Sequence, residues 1–368
     1  MDVKIIKDDW QALLRMLPSN WRQLAKETGA INRQLRNFDD EEGILRLLFL
    51  HLANGYSLRE TVTRAKAAGL TNISDVALLK RLRCSEKWLK ELSIALLRER
   101  GTQLSTDQYS TKINLKLVDG TLVKEPGKTG SQWRIHYSLR LPSLECDYFK
   151  LTSSEGNNTG ESFKQFPVRK NDCIVGDRGY STFQGIIYLH QKEAYSLVRV
   201  NSSTLTFYTK GGKVFYLLEH ISVLEKAYQA GEWEIYLKDT DNQIVEGRLC
   251  VIRKNDTAAE IAIKKIIKEA RKRQRTIKKE TLEYAKYIII FTTLPSEYPL
   301  EVILEWYRLR WQVELAFKRL KSLIHLGHLP KYDETSSRAW LYGKLLIGLL
   351  TEKLMSYASS FSPSGYWL

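Results

Sequence analysis

The chain has 368 residues, with 57 Lys and Arg against 42 Asp and Glu, a formal charge of +15 and a pI near 9.4. Hydrophobic residues at 43% and charged residues at 27% exclude a disordered tail, and no run approaches the roughly 20 apolar residues that a membrane-spanning helix needs. A positive balance of this size favours a polyanionic partner, through counterion release and long-range steering, without saying which one.

The opening MDVKIIKDDWQALL carries charges and Trp10 where a secretory signal would be apolar, and predicts a cytoplasmic protein. Residues 1–108 read as helices only and form the first expected unit, a helical DNA-binding domain. Ser57 and Glu60 make a capping box that Gly69 closes, and Ser74 opens DVALLKRLR. Residues 57–83 could thus be a helix-turn-helix carrying Lys80, Arg81 and Arg83. A helical bundle with a solvated basic edge accounts for the same pattern. Cys84, Cys146, Cys173 and Cys250 are far apart, with no C-x-x-C pair, and read as small buried hydrophobes.

From residue 109 the pattern turns strand-like, in INLKLVDGT, WRIHYSLRL, DYFKLTS, CIVGDRGY and YSLVRV. Residues 109–200 are therefore the first part of an α/β domain. Residues 201–285 follow as a β-rich insertion (LTFYTK, KVFYLLEH, WEIYLKD, GRLCVIRK), punctuated by Gly-Gly, Gly-Glu and Asp-Asn turns. A helix over about 257–285 ends this stretch, with nine basic residues between Lys264 and Lys279 that could track a phosphate backbone or simply face water. Residues 286–368 complete the α/β domain: the strand YIIIFTTLP, one long helix from near Pro299 to about residue 324, a final helix over 338–357 and a Ser, Pro and Gly tail.

Three acids suit two-metal phosphodiester chemistry on a ribonuclease H-like fold. Asp119 is expected to end a strand in LKLVDGT, Asp177 to end another in CIVGDRGY, and Glu314 to lie within the long helix. Hard divalent cations take oxygen ligands, and a pair of them can activate the attacking oxygen and stabilise the leaving one. At about 100° per residue, Tyr307, Arg310, Glu314 and Lys321 share one helix line beside the apolar stripe Leu309, Val313, Ala316 and Leu320. A phenol, a guanidinium and an ammonium beside a carboxylate suit phosphate binding. A surface stripe with an Arg310–Glu314 salt bridge would have the same spacing.

Those four residues match the Y-x2-R-x3-E-x6-K signature, and the segment resembles bacterial insertion-sequence transposases of the "insertion sequence four" type. VDGT and DRGY resemble the family's other two acidic motifs, in the same order, and the β-rich stretch resembles the family's insertion. The resemblance covers roughly residues 30–350. It implies a ribonuclease H-like mixed sheet flanked by helices, and a cut-and-paste transposase using two Mg2+ ions, for which Mn2+ can substitute. Asp119, Asp177 and Glu314 would be the catalytic metal ligands, and Tyr307, Arg310 and Lys321 would hold the DNA backbone. The implied partners are double-stranded DNA of terminal inverted repeats, target DNA and a second copy of the chain, in a cytoplasmic protein at the nucleoid with no membrane partner. A catalytically inactive or host-adopted DNA-binding protein derived from a transposase is the alternative. Relatives that form a DNA hairpin carry a Trp where this chain has Lys286 and Tyr287, and the family's helical C-terminus would extend past SPSGYWL.

His325 and His328 have no third imidazole or thiolate to make a zinc site, and GGK at 211–213 lacks the context of a phosphate loop. Trp133, Trp306 and Trp311 could stack on bases, but core packing is the ordinary use of such aromatics.

Overall fold

The computed structural model describes residues 10–31, 40–100, 112–124, 132–141, 145–156, 159–200, 204–238, 243–323, 325–326, 329 and 333–360. The boundary expected at residue 108, His328 and the SPSGYWL tail lie outside them. The N-terminal part is helical, with α1 (Trp21–Glu27), α2 (Glu41–Asn54), α3 (Leu58–Ala67), α4 (Asp75–Cys84) and α5 (Glu86–Arg100). The caps are those the sequence announces: Ser57 accepts from Glu60 N at 3.1 Å, Ser74 from Ala77 N at 3.2 Å, and Gly69 is left-handed. The expected α3–α4 pair is present, with Thr61, Ala65, Leu78 and Leu82 turned inward and Lys80 outward. Arg83 is committed to Asp333 at 2.7 Å.

Nine strands build one mixed sheet: β1 (Asn114–Lys124), β2 (Gln132–Arg140), β3 (Glu145–Ser153), β4 (Asp172–Gly176), β5 (Tyr195–Arg199), β6 (Phe207–Tyr208), β7 (Ala230–Lys238), β8 (Ile244–Arg253) and β9 (Tyr287–Thr292). Their spatial order is β3-β2-β1-β4-β5-β9-β8-β7-β6, with β1-β4 and β4-β5 parallel and the other pairs antiparallel. Of the strands expected of the β-rich insertion, LTFYTK, WEIYLKD and GRLCVIRK supply β6, β7 and β8, which continue the same sheet through the β8-β9 pairing, whereas KVFYLLEH gives only a bridge at Val214 and then a helix over Leu217–Ile221.

Period-two alternation divides the strand residues between two cores. Leu117, Cys173, Val175, Leu197 and Ile290 join the core shared with the N-terminal helices, whereas Val118, Ile174, Val198, Ile289 and Phe291 join the opposite one. The opposite face is covered by α6 (Phe183–Gln191) and α7 (Leu217–Ile221). The three buried cysteines, Cys146, Cys173 and Cys250, fill space as expected, while Cys84 is exposed.

Two helices differ from expectation. The basic segment is broken into α8 (Asp256–Lys272) and α9 (Lys279–Tyr284). Gln274 turns left-handed there, Arg275 N reaches back to Ala270 O at 2.9 Å and Gln274 N to Arg271 O at 3.2 Å, a Schellman closure without its usual glycine. The helix expected from 299 to 324 is likewise two helices, α10 (Leu300–Leu309) and α11 (Trp311–Leu323), joined at Arg310. Bonds from Arg310 N to Tyr307 O (3.0 Å) and Val313 N to Arg310 O (3.2 Å) tighten the junction to the three-residue spacing, with neither Pro nor Gly present. The last helix, α12 (Glu334–Ser360), is longer than its periodicity suggested and packs along α5 and α2.

Candidate active site

Asp119 and Asp177 are brought level by strand register. In the parallel β1-β4 pair, Leu117 stands opposite Val175, so the two aspartates, each two residues further along its chain, lie at the same level. Contrary to expectation Asp119 does not end its strand, because β1 runs on to Lys124 against β2, where Tyr137 is its partner. Asp177 does follow the end of β4, and its Oδ1 accepts from Gly179 N at 2.8 Å. Asp119 Oδ1 similarly accepts from Gly120 N at 2.8 Å.

The acidic helix is laid over this point by its apolar face. Val313, Phe317 and Leu320 of α11 are buried, and the Phe317 ring lies 5.2 Å from that of Tyr137, the residue paired with Asp119. Leu309 and Ala316 complete the expected stripe as partly buried members of the same core. At the far end of α11, Lys321 Nζ donates to Thr121 Oγ1 at 2.6 Å.

At the α10-α11 junction, Arg310 Nη2 donates to Glu314 Oε1 at 2.6 Å, and its guanidinium carbon stands 5.9 Å from the centre of the Tyr307 ring. The salt bridge anticipated by the surface-stripe alternative therefore exists, yet Arg310 also acts electrostatically on Asp119, so the stripe borders the carboxylates. Burial raises the Tyr307 hydroxyl above its ordinary value against the opposing pull of Arg310 and Arg199.

A further carboxylate that the sequence did not single out lies here. Glu161, in the loop between β3 and β4, accepts from Arg134 Nη1 at 2.9 Å. Its side chain fills the space beside both motif glycines: a Cβ on Gly120 would lie 3.2 Å from Glu161 Cγ, and one on Gly179 would collide with the Glu161 carboxylate. The glycines of VDGT and DRGY thus leave room for an acid. The Tyr180 hydroxyl is buried with no hydrogen-bond partner among the described residues, within the field of Asp119, Glu161 and Asp177.

Burial first, then the charges of Asp177 and Glu161, outweigh the Gly120 amide and Arg310 and push the Asp119 carboxyl up to about 7. Burial and Asp177 likewise raise Glu161, against Arg134. Such a site calls for positive charge, and its all-oxygen donors suit a hard divalent cation. Among the described residues no three acidic, His or Cys side chains converge at ligand distance: Arg310 holds Glu314 and Arg134 holds Glu161.

Beside Tyr307 lies a cationic group that was also not anticipated. Burial, Arg199 and Arg178 together lower Lys254 to about 8, its Nζ donates to Ala285 O at 2.6 Å, and Arg199 Nε is buried without a partner. The aromatics set aside on sequence grounds divide. Trp133 is buried, Trp306 packs at 5.7 Å on Tyr298, and Trp311 is exposed beside the junction. Tyr287, near the position of the hairpin-forming relatives' Trp, is a core residue, and Lys286 pairs with Glu283 at 2.7 Å.

Residues 148–350 match the family described as Transposase DDE domain. The chain is also 32% identical over 365 residues to the transposase for insertion sequence element IS421 of Escherichia coli, covering 97% of this chain and 96% of that protein. It belongs to the DDE transposases. Similarity to InsL of insertion sequence element IS186A of Escherichia coli K12 is equally high, at 32% over 364 residues, 97% of this chain and 96% of that one. The transposase for insertion sequence element IS231F of Bacillus thuringiensis subsp. israelensis is 23% identical, over 92% of this chain and 77% of that one. The ribonuclease H-like fold, the DDE type of enzyme and divalent-metal dependence follow for this transposase, as does DNA as its substrate. No helix among the described residues is long and apolar enough to cross a membrane.

Proposed function

We propose that this transposase performs cut-and-paste transposition from a site formed by Asp119, Asp177 and Glu314. The observation that carries the reading is the common level of Asp119 and Asp177 at the end of the parallel β1-β4 pair, beneath the helix that bears Glu314. Those three carboxylates would hold two Mg2+ ions, for which Mn2+ can substitute. When bound, the ions supply activation of the attacking oxygen and charge stabilisation at phosphorus.

The chain's own side chains set the geometry. Tyr307, Arg310 and Lys321 donate to phosphate oxygens next to the cut, and the cations Arg178, Arg199 and Lys254 continue that surface past Tyr307. Water adds to the end phosphorus and the 3'-oxygen leaves with a proton. The freed 3'-hydroxyl then attacks a target phosphodiester and displaces the target's 3'-oxygen, so that one phosphodiester replaces another and no external energy source is consumed. Terminal inverted repeats are gripped by the N-terminal helices and by α8, whose only buried side chain is Ala259. Two copies of the chain pair two transposon ends, in the cytoplasm at the nucleoid.

Replacing Glu314 by Gln tests the assignment. Binding to a terminal-repeat duplex persists and strand cleavage is lost; retained cleavage would remove Glu314 from the site. A wild-type chain that binds the ends without cutting them would instead be a DNA-binding descendant of a transposase.

A further inference from the structure

We propose that Glu161 is a fourth carboxylate of the cation site, supplied by the loop before β4 and held by Arg134 until the ion enters. The inference rests on the reading of Asp119 and Asp177 as cation ligands.

Three observations carry it. First, Glu161 occupies the space that Gly120 and Gly179 leave open, directly after the two aspartates. A Cβ on Gly179 would overlap Glu161 Oε2 and stand 3.1 Å from Asp177 Oδ1, so the two carboxylates converge on one small region. Neither glycine has positive φ, so backbone conformation does not demand glycine at either place; the neighbouring acid does. Second, the Tyr180 hydroxyl is fully buried, makes no hydrogen bond among the described residues and sits in the field of Asp119, Glu161 and Asp177. A buried hydroxyl without a partner is costly, and a hydrated cation among these carboxylates would supply one. Third, among the described residues Glu161 pairs with Arg134 Nη1 alone, at 2.9 Å, which engages Oε1 and leaves Oε2 turned to the space beside Gly179 and Asp177. One oxygen is held in place while the other faces the site.

A purely structural role, neutralising Arg134, would explain the first oxygen alone. It gives no reason for the second to share the space beside Gly179 with Asp177, where like charges repel.

The test is Mn2+ binding by the full chain without DNA, followed by the loss of the free-ion electron paramagnetic resonance signal, for wild type, Glu161→Gln, Gly179→Ala and Asp119→Asn. Glu161→Gln keeps an acceptor for Arg134 and removes only the charge. Gly179→Ala keeps every charge and displaces the Glu161 carboxylate, with a lesser contact of its Cβ at 3.1 Å from Asp177 Oδ1. Both are expected to weaken Mn2+ binding about 10-fold to 100-fold while metal-free melting stays at or above wild type. Wild-type affinity in Glu161→Gln or in Gly179→Ala, alongside weakened binding in Asp119→Asn, would overturn the role of Glu161 and leave the aspartate site standing. Binding that none of the three variants changes, or no binding by wild type, would overturn the aspartate site and the proposal together.

Discussion

Lys321 Nζ donates to Thr121 Oγ1 at 2.6 Å, tying the helix that carries Glu314 to the strand that carries Asp119. The two acids belong to segments nearly 200 residues apart in sequence. Apolar packing through Phe317 and Tyr137 sets the height of the helix over the sheet, and this hydrogen bond fixes its far end.

Lys321→Ala is accordingly expected to reduce cleavage of a terminal-repeat duplex by about 10-fold to 100-fold, the size of a lost charge-assisted hydrogen bond. The pair is exposed, so urea unfolding should change by no more than about 1 kcal/mol. Unaltered cleavage would return Lys321 to the role of a solvated surface charge.

The crowding of carboxylates predicts a pH dependence of stability in the absence of metal. Because the folded chain holds the Asp119 proton up to about pH 7, against an ordinary value of 3.8, it binds more protons than the unfolded chain between those limits. Stability must then fall as pH rises through that window. Asp119→Asn abolishes this slope and at pH 8 in chelator should be more stable than wild type, by on the order of 2 kcal/mol. Melting curves at pH 5 and pH 8 check it, and parallel curves for the two proteins would contradict it.

Lys344 of α12 is fully buried against α2. Its Nζ lies 4.8 Å from the centre of the Trp340 ring and makes no hydrogen bond among the described residues. Burial lowers it to about 8 from an ordinary 10.5, so the cost of the buried charge is complete below pH 8 and is relieved between pH 8 and 10.5. Lys344→Met, of similar volume, should stabilise the chain by about 1–4 kcal/mol at pH 7 in chemical denaturation, and by less at pH 10.

Arg248 secures the segment that leads into α10. It is buried, and its guanidinium donates to Leu294 O at 3.0 Å, Pro295 O at 2.9 Å, Tyr298 O at 3.0 Å and Glu232 Oε1 at 2.6 Å, holding the segment that leads into α10. A lysine cannot reproduce the planar fork. Arg248→Lys should cost about 3 kcal/mol in urea unfolding and lower cleavage through misplacement of Tyr307 and Arg310. A loss under about 1 kcal/mol would show that the segment holds itself.

Local chemistry was legible in the sequence wherever it was local. Ser57 and Ser74 cap helices through neighbours three residues on, and the 3.6-residue period of Val313 and Leu320 places α11 on the sheet whatever the rest of the chain does. Asp119 and Asp177 stood out because an acid before glycine or after a buried strand is a local pattern. The features that escaped depend on partners far away in the chain. Asp119 lies mid-strand because β2 continues to pair beyond it, and the sheet extends through β8 because Arg248 stands opposite Thr292 and Arg253 opposite Tyr287. Glu161 sits in an irregular loop with no periodicity, and only the space beside Gly120 and Gly179 connects it with the aspartates. The break at Arg310 has no proline or glycine to announce it.

On the proposed function, Asp119, Asp177 and Glu314 act together as one metal-dependent cleavage site. The most direct measurement is nicking of a labelled linear duplex bearing the element's own terminal repeat, with Mg2+ or Mn2+, by wild type and by Asp119→Asn. Metal-dependent cuts at the repeat end by wild type, absent with chelator and absent in the variant, are the predicted result. Cuts of equal rate by Asp119→Asn, or bound ends that wild type never cuts, would contradict it.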